Sequence, residues 1–348
     1  ELLDAFIASI PFPQIVIAMN FPLATCSPAE YDFVPSSSSL NIPTLTASLA
    51  CTHEQEKHFN FNCGSKSKKN CPIEEEAIGD MMGLEFGNRH SNKDALERFL
   101  DKKNYLFQEL QERKRWYSVT AEAYLDYRPY YPDVILDDVL KKLKGTRVLE
   151  IGSGPGTATI SLVKRGFHIT CLEPNPDFCS LAQERWKNEF SHTVTIHNIA
   201  FEEALIQESE FDAVIAATSM HWIPADVAFP KAAMALKTGG TLIMLWNMML
   251  TPASSDDYTK LKLAHGKDFE NLLAWSNEDT QKNIANAVGD LMMTSGYFEG
   301  LRTMEVRQNV TYTAAQYLGL LSTYSFYMRL SWEDQVSIFE RIRQTINV

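Results

Sequence analysis

No uninterrupted apolar run in these 348 residues reaches the roughly 18–20 that a membrane span needs. Nor is there a block of lysine and arginine. The chain has 44 acidic residues against 32 basic ones, a formal net charge of −12, which offers no basic face to a nucleic acid or an anionic membrane. Residues 1–56 lack lysine and arginine altogether, the first lysine being Lys57. On charge, these residues are expected to be neither a secretory leader with a positive start nor an arginine-rich transit peptide. Tight Cys-x-x-Cys knuckles are missing too. Cys51, His53, His58, Cys63 and Cys71 therefore read as a loose polar tail rather than a zinc site, and no metal is expected.

Turn-forming residues dominate the first part of the chain: Pro11, Pro13, Pro22, Pro28 and Pro35, then Ser36 to Ser39. Residues 1–90 are accordingly expected to be a low-complexity, disordered leader, and residues 91–348 the folded domain. From Ser91-x-x-Asp94 onward, helical spacing sets in at Leu96, Phe99, Leu100, Phe107 and Leu110. A second helical run over Ile135–Leu143 ends at Gly145. Strands and helices then alternate. The strands are Arg147–Ile151, His168–Leu172, Thr193–His197, Phe211–Ala217 and Thr241–Trp246; the helices are Thr157–Arg165, Pro176–Asn188 and Val227–Leu236. Short apolar strands alternating with helices predict an α/β fold, a mostly parallel, doubly wound sheet covered on both faces. Cys171 and Cys179 fall on a buried strand and the next helix. They read as free thiols of a reducing compartment, which suits a cytoplasmic location.

The first strand of that alternation runs into Gly152-Ser153-Gly154-Pro155-Gly156. Glycines at alternate positions let the backbone turn sharply and let a ligand press against it, and the next helix begins with free N–H groups. A dinucleotide fingerprint would need glycine at 157, where threonine stands, and Glu150 at the strand end would repel a pyrophosphate. An acid followed by this spacing suits a phosphate-free ligand with a cationic tail. The second strand ends in Glu173, seventeen residues after Gly156, and a carboxylate there can accept both hydroxyls of a ribose.

Val148–Gly156 together with Glu173 resembles the class I S-adenosylmethionine-dependent methyltransferases. Tyr124–Pro132, Phe211–Trp222, Leu245–Asn247 and Tyr317–Ser325 resemble the small-molecule, trans-aconitate-type branch of that family, over residues 112–348. The resemblance implies a Rossmann-like seven-stranded sheet and S-adenosyl-L-methionine as cofactor. It divides the domain into a helical lid (91–145), a cofactor core (146–250) and a substrate-side segment (251–348). It also implies that Gly152, Ser153, Gly154 and Gly156 line the methionine and ribose portions, with Glu150 near the ammonium end. Glu173, with Pro174, would hold the ribose. The family's usual acid for adenine is missing from Asn198–Glu202, so Phe201 and Glu202 are the residues expected at the base. Ala217 and Thr218 would lie near the sulfonium.

On the acceptor side the resemblance implies Tyr124, Arg128, Trp222, Trp246 and Tyr324, with Trp116 and Tyr127 on the lid. His221 is the one candidate general base. Met292, Met293, Phe326 and Tyr327 read as core, and Arg329 as a surface cation. The expected reaction is methyl transfer to a small-molecule acceptor, with carboxylate or hydroxyl oxygen favoured and no nucleic acid or membrane involved. A protein or RNA methyltransferase, and a binding protein without turnover, remain the alternatives.

Overall fold

The structure is a computed structural model, and it describes residues 7–20, 110–187, 189–248, 255–266 and 278–346. Chain contacts form two units, one of Glu1–Leu23 with Glu85–Val348 and the other of Ala24–Leu84; every described residue lies in the first. The cysteine and histidine group of residues 51–71 and the expected helix start at Ser91 lie outside the described residues.

Seven strands form one sheet in the order β4-β3-β2-β5-β6-β1-β7. In chain order they are β1 (Ile7–Asn20), β2 (Arg147–Ile151), β3 (His168–Leu172), β4 (Val194–His197), β5 (Phe211–Ala217), β6 (Leu236–Asn247) and β7 (Glu299–Thr313). β4, β3, β2, β5 and β6 are parallel neighbours. β1 runs antiparallel to β6 on one side and to β7 on the other.

Residues 7–20 therefore correct the expectation of a disordered leader: they form an interior strand. Pro11 and Pro13 had argued against a strand, because proline has no N–H for a ladder. The register removes that objection. β6 pairs with β1 only from Gln14 onward, and both prolines lie in the stretch that pairs with β7 alone. Further along, Ile17 and Met19 join the core on one face of the sheet, while Val16 and Ala18 join the core on the other.

The helices are α1 (Leu110–Lys114), α2 (Ala121–Tyr127), α3 (Asp133–Leu140), α4 (Thr159–Val163), α5 (Pro176–Trp186) and α6 (Ala225–Ala235). Beyond β6 come α7 (Ser255–His265), α8 (Glu278–Thr294), α9 (Ala314–Ser322), α10 (Ser325–Met328) and α11 (Trp332–Ile346). One face of the sheet is covered by α3, α4 and α5, through Leu136, Leu162 and Trp186 among others. The other is covered by α6 and α8, through Phe229 and Met292. A third apolar cluster joins α7, α9, α10 and α11 around Tyr317, Tyr327 and Ile342. α5 starts where Pro176 predicts, because the Asn175 side chain accepts from the N–H groups of Asp177 (2.9 Å) and Phe178 (3.2 Å) and so caps the helix.

From β2 the chain winds outward to β3 and β4; from β5 it winds the opposite way to β6. The connections diverge between β2 and β5, and the loops at the carboxyl ends of those strands leave a crevice there.

Candidate active site

The crevice is a cavity of about 250 Å³ at the carboxyl ends of β2, β3, β5 and β6. Its floor is the turn after β2, where Gly152 and Gly154 both line the cavity. Gly154 has φ +57°, and a Cβ built on it would meet nothing nearer than the Phe178 ring at 4.0 Å. The bare backbone thus faces open space a ligand can fill. Gly156 works differently. Its φ is +91°, and a Cβ there would fall 2.1 Å from Trp186 Cζ2, so this glycine lets α5 pack against the turn and does not line the cavity.

Glu173 closes the floor. It is buried, and its two oxygens accept from Gly154 N (2.7 Å) and Asn175 N (2.8 Å). Burial raises its pKa to about 7 against the lowering effect of those two N–H groups. A carboxylate has about four acceptor sites, so it can still receive two hydroxyls. The Asn198 side-chain amide donates to the carbonyls of Glu173 and Pro174, both at 3.0 Å, and so fixes the end of β3 beside the cavity-lining Pro174.

Glu150 and Ser153 are the residues the sequence misplaced. Both are buried and neither lines the cavity. The reason is the two-residue period of a strand: Ile151 faces the crevice, so Glu150 turns to the opposite side with Val148. There it accepts from Thr159 Oγ1 at 2.7 Å, and no described residue bonds its other oxygen. Complete burial raises its pKa to about 8.

At the outer end of the cavity Phe201 and Glu202 are both on the wall, next to Ala200. Lys231 Nζ stands 5.3 Å over the Phe201 ring and donates to Glu202 O at 3.0 Å; burial lowers its pKa. After β5, Ala217 and Thr218 line the middle of the cavity. Thr218 has φ +58°, which is unusual for a β-branched residue, and its Oγ1 lies 2.7 Å from the Tyr131 hydroxyl. His221 and Trp222 follow on the same wall, their rings 4.7 Å apart.

Tyr124, Arg128, Trp246 and Tyr324 line the remaining wall. The Arg128 guanidinium stacks 4.0 Å from the Tyr324 ring and 4.8 Å from Tyr124. It donates from Nε to Thr323 Oγ1 and from Nη2 to Thr323 O, each at 2.8 Å, and pairs with no carboxylate among the described residues. Trp116 and Tyr127 are not on the wall. Tyr127 instead packs against Gly319, where a Cβ would fall 2.2 Å from its ring. Met292 and Tyr327 are core, whereas Met293 is exposed and Phe326 lines the cavity. Arg329 is exposed, 6.0 Å over the Trp116 ring. Cys171 and Cys179 are buried free thiols. The described residues contain no group of three or more metal-ligating side chains.

Residues 110–117 contribute wall residues that sequence reasoning missed. Arg113, Lys114 and Tyr117 line the cavity, with Tyr117 stacked on Phe178 at 6.1 Å. The helical spacing read from the sequence ends at Leu110 and says nothing of which distant loop these residues meet. Asn247, quoted for its motif alone, also lines the cavity and donates to Pro129 O at 2.8 Å.

A crevice at the switch point of a doubly wound sheet, with a bare glycine turn and an acid on the next strand, suits a nucleoside-bearing ligand that lacks phosphate. Comparison with known proteins points to a family of that class: residues 148–240 match the methyltransferase domain family. An uncharacterized methyltransferase of Mycobacterium tuberculosis is 33% identical over 125 residues, which is 36% of this chain and 49% of the relative. The chain thus spans about half the length of that relative. The ubiquinone biosynthesis O-methyltransferase of Xylella fastidiosa is 28% identical over 148 residues, 41% of this chain and 60% of that protein. Among solved structures, a SAM-dependent methyltransferase from Thiobacillus denitrificans in complex with S-adenosyl-L-homocysteine is similar at 20% identity. It covers 37% of this chain and 54% of its own, with a TM-score of 0.32.

Proposed function

We propose that the protein is an enzyme that transfers a methyl group from S-adenosyl-L-methionine to a small-molecule acceptor, a carboxylate or hydroxyl oxygen being favoured, as in the trans-aconitate-type branch. One observation carries this reading. The buried Glu173 carboxylate is bonded to Gly154 N at 2.7 Å, so an acceptor of ribose hydroxyls and a bare-backbone cradle meet on one cavity floor. The donor set suits this cofactor. Glu173 would take the ribose, the Gly152–Gly154 backbone the amino-acid tail, and Phe201 and Glu202 the base. When bound, the cofactor supplies a methyl group already activated on a sulfonium.

The chain's own residues then have to orient the acceptor and exclude water. Tyr117, Tyr124, Phe178 and Trp222 pack edge-on and stacked about the cavity and keep it apolar. Arg128, a half-buried cation with neutral partners, would hold an acidic acceptor by one oxygen. His221 is the candidate base for a hydroxyl acceptor, whereas a carboxylate acceptor needs none. A small-molecule acceptor and a cytoplasmic setting belong to this reading; the chain is acidic, and no described helix is long and apolar enough to cross a membrane.

Replacing Glu173 with alanine tests the reading. Calorimetric titration with S-adenosylhomocysteine should find affinity lower by about 1–3 kcal/mol, the worth of hydrogen bonds to a charged group. Unchanged affinity would remove Glu173 from the site.

A further inference from the structure

No side chain of α1 is fully buried, and Leu110 is half-buried at the cavity. Polar contacts hold the helix there. Arg113 Nη1 donates to Trp222 O at 2.9 Å, and Arg113 Nη2 lies 3.1 Å from Glu202 Oε1. Lys114 Nζ lies 2.7 Å from Glu203 Oε2. Glu202 and Glu203 follow β4, the strand beside β3, and so stand one strand outward from Glu173. A nucleoside whose ribose rests on Glu173 would extend its base toward them.

Two features of Glu202 bear on that base. It lines the cavity, and while Oε1 is engaged by Arg113, no described residue bonds Oε2. Ala200, on the same turn, has no polar side chain to offer. From these contacts we propose that Arg113 orients Glu202 so that Oε2 accepts the exocyclic amine of adenine, which makes base recognition and the seating of α1 a single event. Arg113 is then a positioning residue acting through Glu202. The inference rests on the cofactor reading above.

The chemistry is selective. A carboxylate only accepts hydrogen bonds, so it favours a 6-amino group and repels a 6-oxo group. A free glutamate would sample several rotamers, and ordering one on binding costs affinity. A guanidinium already fixed by the Trp222 carbonyl removes much of that cost, because its planar fork is pre-organised.

The test compares S-adenosylhomocysteine with S-inosylhomocysteine, the 6-oxo analogue, by calorimetry on the full chain and its variants. Wild-type protein should prefer the adenine compound by about tenfold or more, the worth of one hydrogen bond to a charged group. Arg113→Met should lose most of that preference by binding the adenine compound more weakly, with the inosine compound little changed. Glu202→Ala should do the same, and Arg113→Lys should recover part of the preference. Equal weakening toward both compounds in Arg113→Met would overturn the proposal and leave α1 a simple cover. Unaltered binding of both in a variant of wild-type thermal stability would overturn it too. Binding of neither compound by the folded wild-type chain would take away the cofactor reading itself, a failure distinct from either of those.

Discussion

Glu150 and Glu173 end neighbouring strands, yet burial sets them different tasks. Glu173 meets two backbone N–H groups and the cavity, whereas Glu150 meets the Thr159 hydroxyl and the Cys171 thiol on the far side of the sheet. Burial lifts Glu150 from an ordinary 4.5 to about 8. In that window the unfolded chain has released the proton that the folded chain still holds. The contribution of Glu150 to stability is therefore full below about pH 4.5 and lost as pH rises toward 8. Urea denaturation from pH 5 to 8 should find wild-type stability declining. In Glu150→Gln, which keeps a neutral partner for Thr159, the decline should be smaller. Parallel curves for the two proteins would refute this account of Glu150. Gly156 makes a second prediction at this scale. A methyl group there would meet the Trp186 ring at a positive φ, so Gly156→Ala should cost at least about 2 kcal/mol in the same assay.

At the scale of elements, β1 matters most, and it was the least legible. β2, β3 and β5 have the limits their short apolar runs predict, because each run is bounded by turn residues. β1 carries two prolines and a neighbourhood rich in turn signals, and its partners lie more than 200 residues further on. Only the register reveals that the prolines sit where one side of the strand is unpaired. α1 was obscure for a related reason: Arg113 meets Glu202 across 89 residues, and no local pattern encodes such a pair. Glu150 was misassigned because a strand-end acid and a cavity residue look alike until the two-residue period is referred to Ile151, the residue that faces the ligand. Because β1 fills the gap between β6 and β7, a chain lacking residues 1–20 would expose both inner edges and the apolar side chains beneath them. Such a protein should aggregate on size-exclusion chromatography or unfold without cooperativity. A soluble monomer of wild-type thermal stability would contradict the role given to β1.

For the molecule as a whole, the parallel core and its glycine turn were readable because cofactor binding reuses a short local pattern at a fixed place in the sheet. The acceptor wall was not, since it is assembled from residues 110–128, from the end of β6 and from residues 324–326, segments that lie far apart in the chain. The central claim is that this crevice binds an adenosyl sulfonium cofactor. Calorimetric titration of the full-length chain with S-adenosylmethionine, S-adenosylhomocysteine and NAD(H) tests it most directly. Micromolar binding of the first two and none of NAD(H) is the expected result. A folded protein that takes up neither adenosyl compound would contradict the claim.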